Sequence, residues 1–461
     1  MFRTILPLLL VAGSPALALA QDTPATPAGR EALDVLIGSI PFRTVVGGNE
    51  VPKLSAYLAD RLAQAGFDHS DMSFVPLENT GYFTARYRGR DPKARPLVLL
   101  VHLDVVDAKR EDWKRDPFVP VIENGYVYGR GALDDKSAVA ILVTTLAKLK
   151  RAGWMPARDI ILLGSGDEES AMETTALAAE QLKDAYLVLN ADAGFGARDE
   201  NGKPLYFSLQ AAEKTYADYT LTTTDPGGHS SQPRASNAIV RMGRAAERVL
   251  AHRFPVRQDE VTKAYFAAAA KTKTGPLGTA MAAFARDAKD AAAIEALTND
   301  PEMIGKIRTT CVPTRIEGGH AYNALPQKVK ANINCRIFPG EEPSMVRAAL
   351  IDAIDDPGIT LTPRLEMSPA AGSPLRPDVL AAVTKAIHLN APGVPIIPAM
   401  ETGTTDSSRF RARGIPAFGV MGVFLKQSEF HAHGLDERLP IAALDEGVRY
   451  WESLIRDLAG K

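Results

Sequence analysis

Four short acidic segments concentrate the residues with chemistry to offer. They are His102-Leu103-Asp104, Gly129 to Lys136 (GRGALDDK), Gly166-Asp167-Glu168-Glu169 and Asn190-Ala191-Asp192. Carboxylates gathered at one place repel one another unless a cation sits between them. If these segments converge, metal binding fits them better than acid-base work by a carboxylate pair alone. Mixed imidazole and carboxylate donors suit zinc, with manganese and cobalt as alternatives. Singly, each piece is weak: a lone His at a strand end is often just packed, and an Asp-Glu-Glu run is usually a solvated turn. The order and spacing of the four together carry the reading.

The elements that must position them are strands. Residues 97–103 (LVLLVHL) form a continuous apolar run, as expected of a strand buried on both faces. Residues 159–165 and 186–190 read the same way, and GRGALDDK sits at a strand-to-helix turn. Residues 136–152 have helical spacing with Gly153 as C-cap, and a second helix is expected at 174–183. Alternating strands and helices predict a mainly parallel α/β sheet covered on both sides. In such sheets, ligands sit beyond the carboxyl ends of the strands, where all four segments fall.

The pattern changes near residue 212. Residues 215–223 alternate like a half-exposed antiparallel strand, and a helix follows at 237–251. Residues 255–305 are mostly helical in pattern. A hairpin is expected over 307–338, a helix at 343–354 and a strand at 358–365. After Pro369 the strand-helix style returns, with a helix at 376–389, strands at 394–398 and 416–424, and a final helix at 440–458. The expected organisation is a catalytic domain at 30–211 and 369–461, interrupted by an inserted α+β lid of the dimerisation type at 212–368. No internal repeat is apparent.

The chain has 461 residues, 46% hydrophobic and 23% charged, with a net charge of -2. That length predicts two domains, and nothing in the charge balance points to nucleic acid. Arg3, the apolar run from Ile5 to Val11 and Ala18-Leu19-Ala20 read as a signal peptide over 1–20. The run is short for a membrane span. Residues 21–29 read as a flexible lead-in, outside the fold. A secreted or periplasmic location follows, and it permits a disulfide. Cys311 and Cys335 flank a segment centred near Asn323, on the two arms of the expected hairpin, so they either bridge across it or stay as two buried thiols.

The motifs HLD at 102–104, GRGALDDK at 129–136, GDEE at 166–169, NAD at 190–192, GGHSSQP at 227–233, NALP at 323–326, RIFPG at 336–340 and HAHGLDE at 431–437 extend the pattern over nearly the whole chain. Together they resemble the aminoacylase, carboxypeptidase S and acetylornithine deacetylase family of dinuclear zinc metallopeptidases. The long form around residues 102–136 is most similar to the carboxypeptidase S and N-acyl-amino-acid hydrolase branch. The resemblance implies that Asp134 bridges two Zn²⁺, that His102 and Asp192 hold one, and that Glu169 and His433 hold the other. His433 is preferred to His431 because the family pattern puts the ligand before Gly434. Three carboxylates and one hydroxide then balance two divalent cations, leaving a neutral site.

By the same resemblance Glu168 is the general base and Asp104 accepts the other N–H of the His102 imidazole. The resemblance further implies a cis peptide bond between Asp134 and Asp135. His229 is an oxyanion donor, often serving a neighbouring subunit. Asn323 and Arg336 bind the substrate and its carboxylate, and Gly403 and Thr404 belong to a substrate loop. His69, His252, His320 and His388 lie outside these motifs and read as surface or packing residues.

The expected activity is metal-dependent cleavage of an amide beside a free carboxylate, on a peptide C-terminus, with an N-acyl amino acid as the alternative substrate. A small peptide or N-acyl amino acid is the expected partner, with a homodimer as an expected assembly. A desuccinylase would need further cations for a second carboxylate, and none can be located in the sequence. No G-x-S-x-G elbow supports a serine hydrolase.

Overall fold

The structure is a computed structural model that describes residues 22–460. The expected signal peptide lies outside the described residues. Among the described residues, no helix is long and apolar enough to cross a membrane.

A ten-stranded mixed sheet forms the frame, and its centre is parallel. Leu97–His102 pairs in parallel with Ile160–Ser165 on one side and Leu187–Asn190 on the other. Ala417–Gly419 extends this run in parallel beside Leu187–Asn190. Every residue of the Leu97–His102, Ile160–Ser165 and Leu187–Asn190 strands is buried. Helices cover both faces, which explains why these strands read as unbroken apolar runs. The Lys136–Arg151 helix lies between the sheet and the helices Pro27–Ser39 and Ala442–Ala459, so it too is buried on nearly every side.

The edges are less regular. The hairpin Met72–Leu77 with Thr80–Tyr87 joins antiparallel to Ile160–Ser165. At the far side, Pro204–Glu213 takes Ile396–Glu401 as a parallel neighbour. The expected lead-in is shorter than 21–29. A helix begins at Pro27, with Thr26 as its N-cap accepting from the Gly29 N–H. The backbone N–H groups of Ala25 and Thr26 donate to the Asp445 carboxylate at 2.7 and 3.1 Å. The carboxylate of a distant helix thus pins this segment to the fold.

A second sheet of four antiparallel strands stands apart, in the order Thr310–Gly318, Lys328–Ile337, Thr215–Thr224, Ile359–Glu366. Helices Ala238–Ala251 and Pro343–Ile354 cover one of its faces over a core of its own. Side chains alternate across these strands. Ala217, Tyr219, Ile333 and Cys335 face that core, while Tyr216, Asp218, Asn334 and Arg336 fall on the other face. Cys311 and Cys335 are register partners and form a disulfide.

The helical stretch departs from expectation. Its helices Glu260–Ala269, Gly275–Arg286, Ala291–Thr298 and Ile304–Ile307 do not join the core of the second sheet. They build a separate cluster around Phe266, Met281, Phe284 and Leu297. The first of them packs along Ile396–Glu401, and Lys306 Nζ donates to the Met400 carbonyl at 3.0 Å. Among the described residues Ile396–Glu401 has a strand neighbour on one side only, so the apolar face of a helix can cover the other.

Candidate metal centre

His102 closes its strand, Glu169 and Asp192 follow the strands on either side, and Asp134 stands just before the Lys136–Arg151 helix. His102 Nε2 lies 2.8 Å from Asp134 Oδ1 and 3.6 Å from Asp192 Oδ1. His433 Nε2 lies 3.1 Å from Asp134 Oδ2 and 3.0 Å from Glu169. Asp134 therefore turns one oxygen to each imidazole, and two donor sets share it. His431 points elsewhere and donates to the Ser428 carbonyl at 3.1 Å. Donor atoms of His102, Asp134 and Glu169 lie within 4.8 Å of one another, as do those of His102, Glu168 and Asp192.

The electrostatics of this cluster describe a place built for positive charge. Burial pushes Asp192 up to about 6, and Asp134 and Glu169 push the same way. Burial likewise raises Glu168 well above the usual carboxylate range, with Asp192 adding to it. Hydrogen bonds to Asp134 and Glu169 lift His433 to about 10. Protons on the imidazoles thus stand where cations would neutralise the carboxylates. The donor set fits two divalent ions: His102, Asp134 and Asp192 for one, His433, Asp134 and Glu169 for the other.

Asp104 does something different from the expectation. The carbonyl oxygen of Asp104, at 3.0 Å, is the partner of His102 Nδ1, while its carboxylate stands off at 3.6 Å. That carboxylate accepts instead from the backbone N–H groups of Glu168 and Glu169, at 3.1 and 3.0 Å. It fixes the loop carrying the candidate base and one ligand. The bond between Asp134 and Asp135 is cis. Asp135 Oδ2 accepts from the His102 N–H at 3.1 Å, tying the two ligand segments together.

One supporting residue was not foreseen. Arg438–Pro440 pairs antiparallel with Tyr126–Tyr128, which sets Glu437 against the ligand loop. Its buried carboxylate accepts from the N–H groups of Leu133 and Asp134 at 2.8 and 2.9 Å, and of Gly131 at 3.1 Å. It also pairs with Arg130 Nη1 at 2.6 Å. The only signal in the sequence was its place in HAHGLDE. A second buried pair, Glu213 with Arg411 at 2.7 Å, braces the entry to the four-stranded sheet, and the same glutamate accepts from the Thr405 N–H at 2.7 Å.

A cleft of about 820 Å³ opens beside the donors and is lined by Asp134, Glu168, His433, Arg336, Gly403 and Thr404, among others. Arg336 reaches it from the four-stranded sheet. Its guanidinium lies 4.6 Å above the Tyr216 ring, and its Nε donates to Asn334 Oδ1 at 3.3 Å. Thr404 Oγ1 donates to the Lys214 carbonyl at 2.7 Å. His229 and Asn323 are not brought to this cleft. Both are exposed, on a two-stranded ribbon where Gly228–His229 pairs with Ala324–Leu325.

Comparison with known proteins gives the family. The model of Peptidase family M20/M25/M40 matches residues 98–457. The chain is 27% identical to the N-fatty-acyl-amino acid synthase/hydrolase PM20D1 of Xenopus tropicalis, over 81% of this chain and 74% of that one. It is 25% identical to a probable carboxypeptidase S-like 2 of Dictyostelium discoideum, over 80% and 73%. Among solved structures, the M20 family metallo-carboxypeptidase Sso-CP2 of Sulfolobus solfataricus superposes with a TM-score of 0.72 at 19% identity, covering 92% of this chain and 98% of that one. The chain belongs to peptidase family M20/M25/M40 and is a metal-dependent hydrolase of amide bonds.

Proposed function

We propose that this hydrolase is a two-zinc carboxypeptidase or dipeptidase, cleaving the amide next to a free carboxylate. Arg336 is the observation that carries the reading. It lines the cleft with Asp134 and Glu168, its side chain is partly buried, and its Nε donates to Asn334 Oδ1. Its guanidinium forms no ion pair among the described residues, which suits it to a bidentate contact with a substrate carboxylate.

In this reading His102, Asp134 and Asp192 hold one ion, and His433, Asp134 and Glu169 the other. The metals, when bound, acidify the attacking water and polarise the amide carbonyl. Glu168 takes the water proton and returns it to the leaving nitrogen. Burial suits it to this task by raising its proton affinity. Asp104 keeps the Glu168 backbone in place. Gly403 and Thr404 line the substrate's path. His229 and Asn323, exposed on their ribbon, would serve the cleft of a second copy, which makes a homodimer part of the proposal.

A second reading, hydrolysis of N-acyl amino acids, is favoured by a smaller pocket of about 190 Å³. Phe195, Met421, Leu425 and Phe430 line it beside Asp134 and Asp192, so an apolar acyl chain would lie there. Export is also proposed, and the Cys311–Cys335 bridge supports an oxidising compartment.

The test is a hydrolysis panel of dipeptides, longer peptides and N-acyl amino acids, run with Zn²⁺, Co²⁺ or Mn²⁺ added. Cleavage next to the free carboxylate is expected. Blocking that carboxylate as an amide should raise KM sharply, and unchanged kinetics on the blocked substrate would sink the role of Arg336.

A further inference from the structure

A second cavity of about 590 Å³ adjoins the metal cleft, and Arg336 and Gly403 line both. Its other walls come from two places far apart in sequence. The helical stretch supplies Ile304, Gly305 and Arg308, and the sheet beyond it supplies Thr310, Cys311 and Val312. The end of the Ala238–Ala251 helix adds His252 and Arg253.

The charge on this lining is unbalanced. Arg253, Arg308 and Arg336 bring three guanidinium groups, and Glu302 is the one carboxylate. Among the described residues none of the three arginines forms an ion pair. Arg253 Nη1 donates to the Leu250 carbonyl at 3.0 Å. Arg308 Nη2 donates to Thr298 Oγ1 at 3.0 Å. Arg308 is only 7% exposed, and its Nε is buried with no hydrogen-bond partner. Burial pushes the Arg308 pKa down, and the neighbouring charge of Arg253 pushes the same way.

Leaving a buried guanidinium without a counter-ion is costly. A site that keeps one, beside two further cations and open to a cavity, is built to receive an anion. Its position decides which. Arg336 stands at the junction of the two cavities, so the group entering the second is attached to whatever Arg336 holds.

We infer that the second cavity is a subsite for an acidic side chain on the residue that carries the substrate's free carboxylate. This rests on the proposed function, in which Arg336 takes that carboxylate. The released amino acid is then glutamate or aspartate, its side-chain carboxylate meeting Arg308 and Arg253. These two arginines belong to none of the motifs read from the sequence. They are 55 residues apart, in segments that meet only through folding.

Two measurements on the metal-loaded enzyme test this. The first compares kcat/KM for L-alanyl-L-glutamate against L-alanyl-L-glutamine, and for the N-acetyl derivatives of the same two amino acids. The glutamate member is expected to lead by about 10- to 100-fold, the worth of a charge-assisted contact. The second is calorimetric binding of free L-glutamate against L-glutamine, which needs no turnover. Arg253→Ala, at an exposed position, should shrink both differences by lowering the glutamate values more than the glutamine values. Arg308→Gln should do so more strongly. Equal binding of the two amino acids overturns the subsite, whatever the turnover. Preferential glutamate binding without cleavage of any substrate supports the subsite and refutes the proposed reaction.

Discussion

The Asp104 carboxylate accepts the backbone N–H of Glu168 at 3.1 Å, and through that contact one carboxylate orients another without touching its side chain. With the matching bond to Glu169, it fixes where the candidate base and a metal donor begin. Asp104→Ala should therefore lower kcat/KM by about 10- to 100-fold, the usual cost of losing a partner behind a metal ligand. Metal content measured alongside should stay near two ions per chain. A variant with full activity would show that the loop holds itself.

Glu168→Gln keeps the size and removes the base. Turnover should fall by about 100- to 10,000-fold, the range ascribed to a positioned proton-transfer group. Metal content by atomic emission should be unchanged. Loss of one ion with the activity would instead place Glu168 among the ligands, a role its distance to His102 and Asp192 allows.

Metal binding should be steeply pH-dependent. In the metal-free protein His433 is raised to about 10 and Asp192 to about 6, so both hold protons where a ligand must give them up. Affinity should rise with pH from 5 to 8, and calorimetry in buffers of differing ionisation enthalpy should show protons released on binding. The sign is fixed: a raised imidazole pKa means competition by protons that fades only as pH climbs.

Arg130→Met leaves the Glu437 carboxylate buried without its cation. Removing one partner of such a pair typically costs about 3–5 kcal/mol. Chemical denaturation should show a loss of that order. Activity at low temperature should fall as well, because Glu437 also holds the N–H groups of Leu133 and Asp134.

The disulfide closes a loop with a sequence separation of 24, for which chain entropy predicts a stabilisation of about 3 kcal/mol. Cys311→Ser with Cys335→Ser should lower stability by that order. Because Thr310 and Arg336 are register partners one step from the bridge, KM should rise more than kcat falls. Intact protein without reductant should show no free thiol by alkylation.

The parts of this molecule that were legible in the sequence share a property. His102, Asp134, Glu169 and Asp192 each sit just past a buried strand or at a helix start, so apolar runs located them. The separation of His433 from His431 needed a turn in which His433 adopts a positive φ of 59°, and spacing alone could not supply it. The role of Glu437 showed only as a place in HAHGLDE, because its partners at 130–134 are about three hundred residues away and arrive by strand pairing. The helical stretch, expected in the lid, builds a core of its own around Phe266 and Phe284, with Glu260–Ala269 lying along Ile396–Glu401. Arg253 and Arg308 gave no signal at all, since lone arginines at helix ends are ordinary until folding sets them around one cavity.

That same helical stretch has a consequence for how the protein behaves at high concentration. Ile396–Glu401 is a row of backbone donors and acceptors with a strand on one side only, the kind of border along which separate molecules add to one another. Glu260–Ala269 lies against it. A shortened protein lacking residues 260–307 should keep the metal donors and yet self-associate, because what the helices withhold from solution is a template for aggregation.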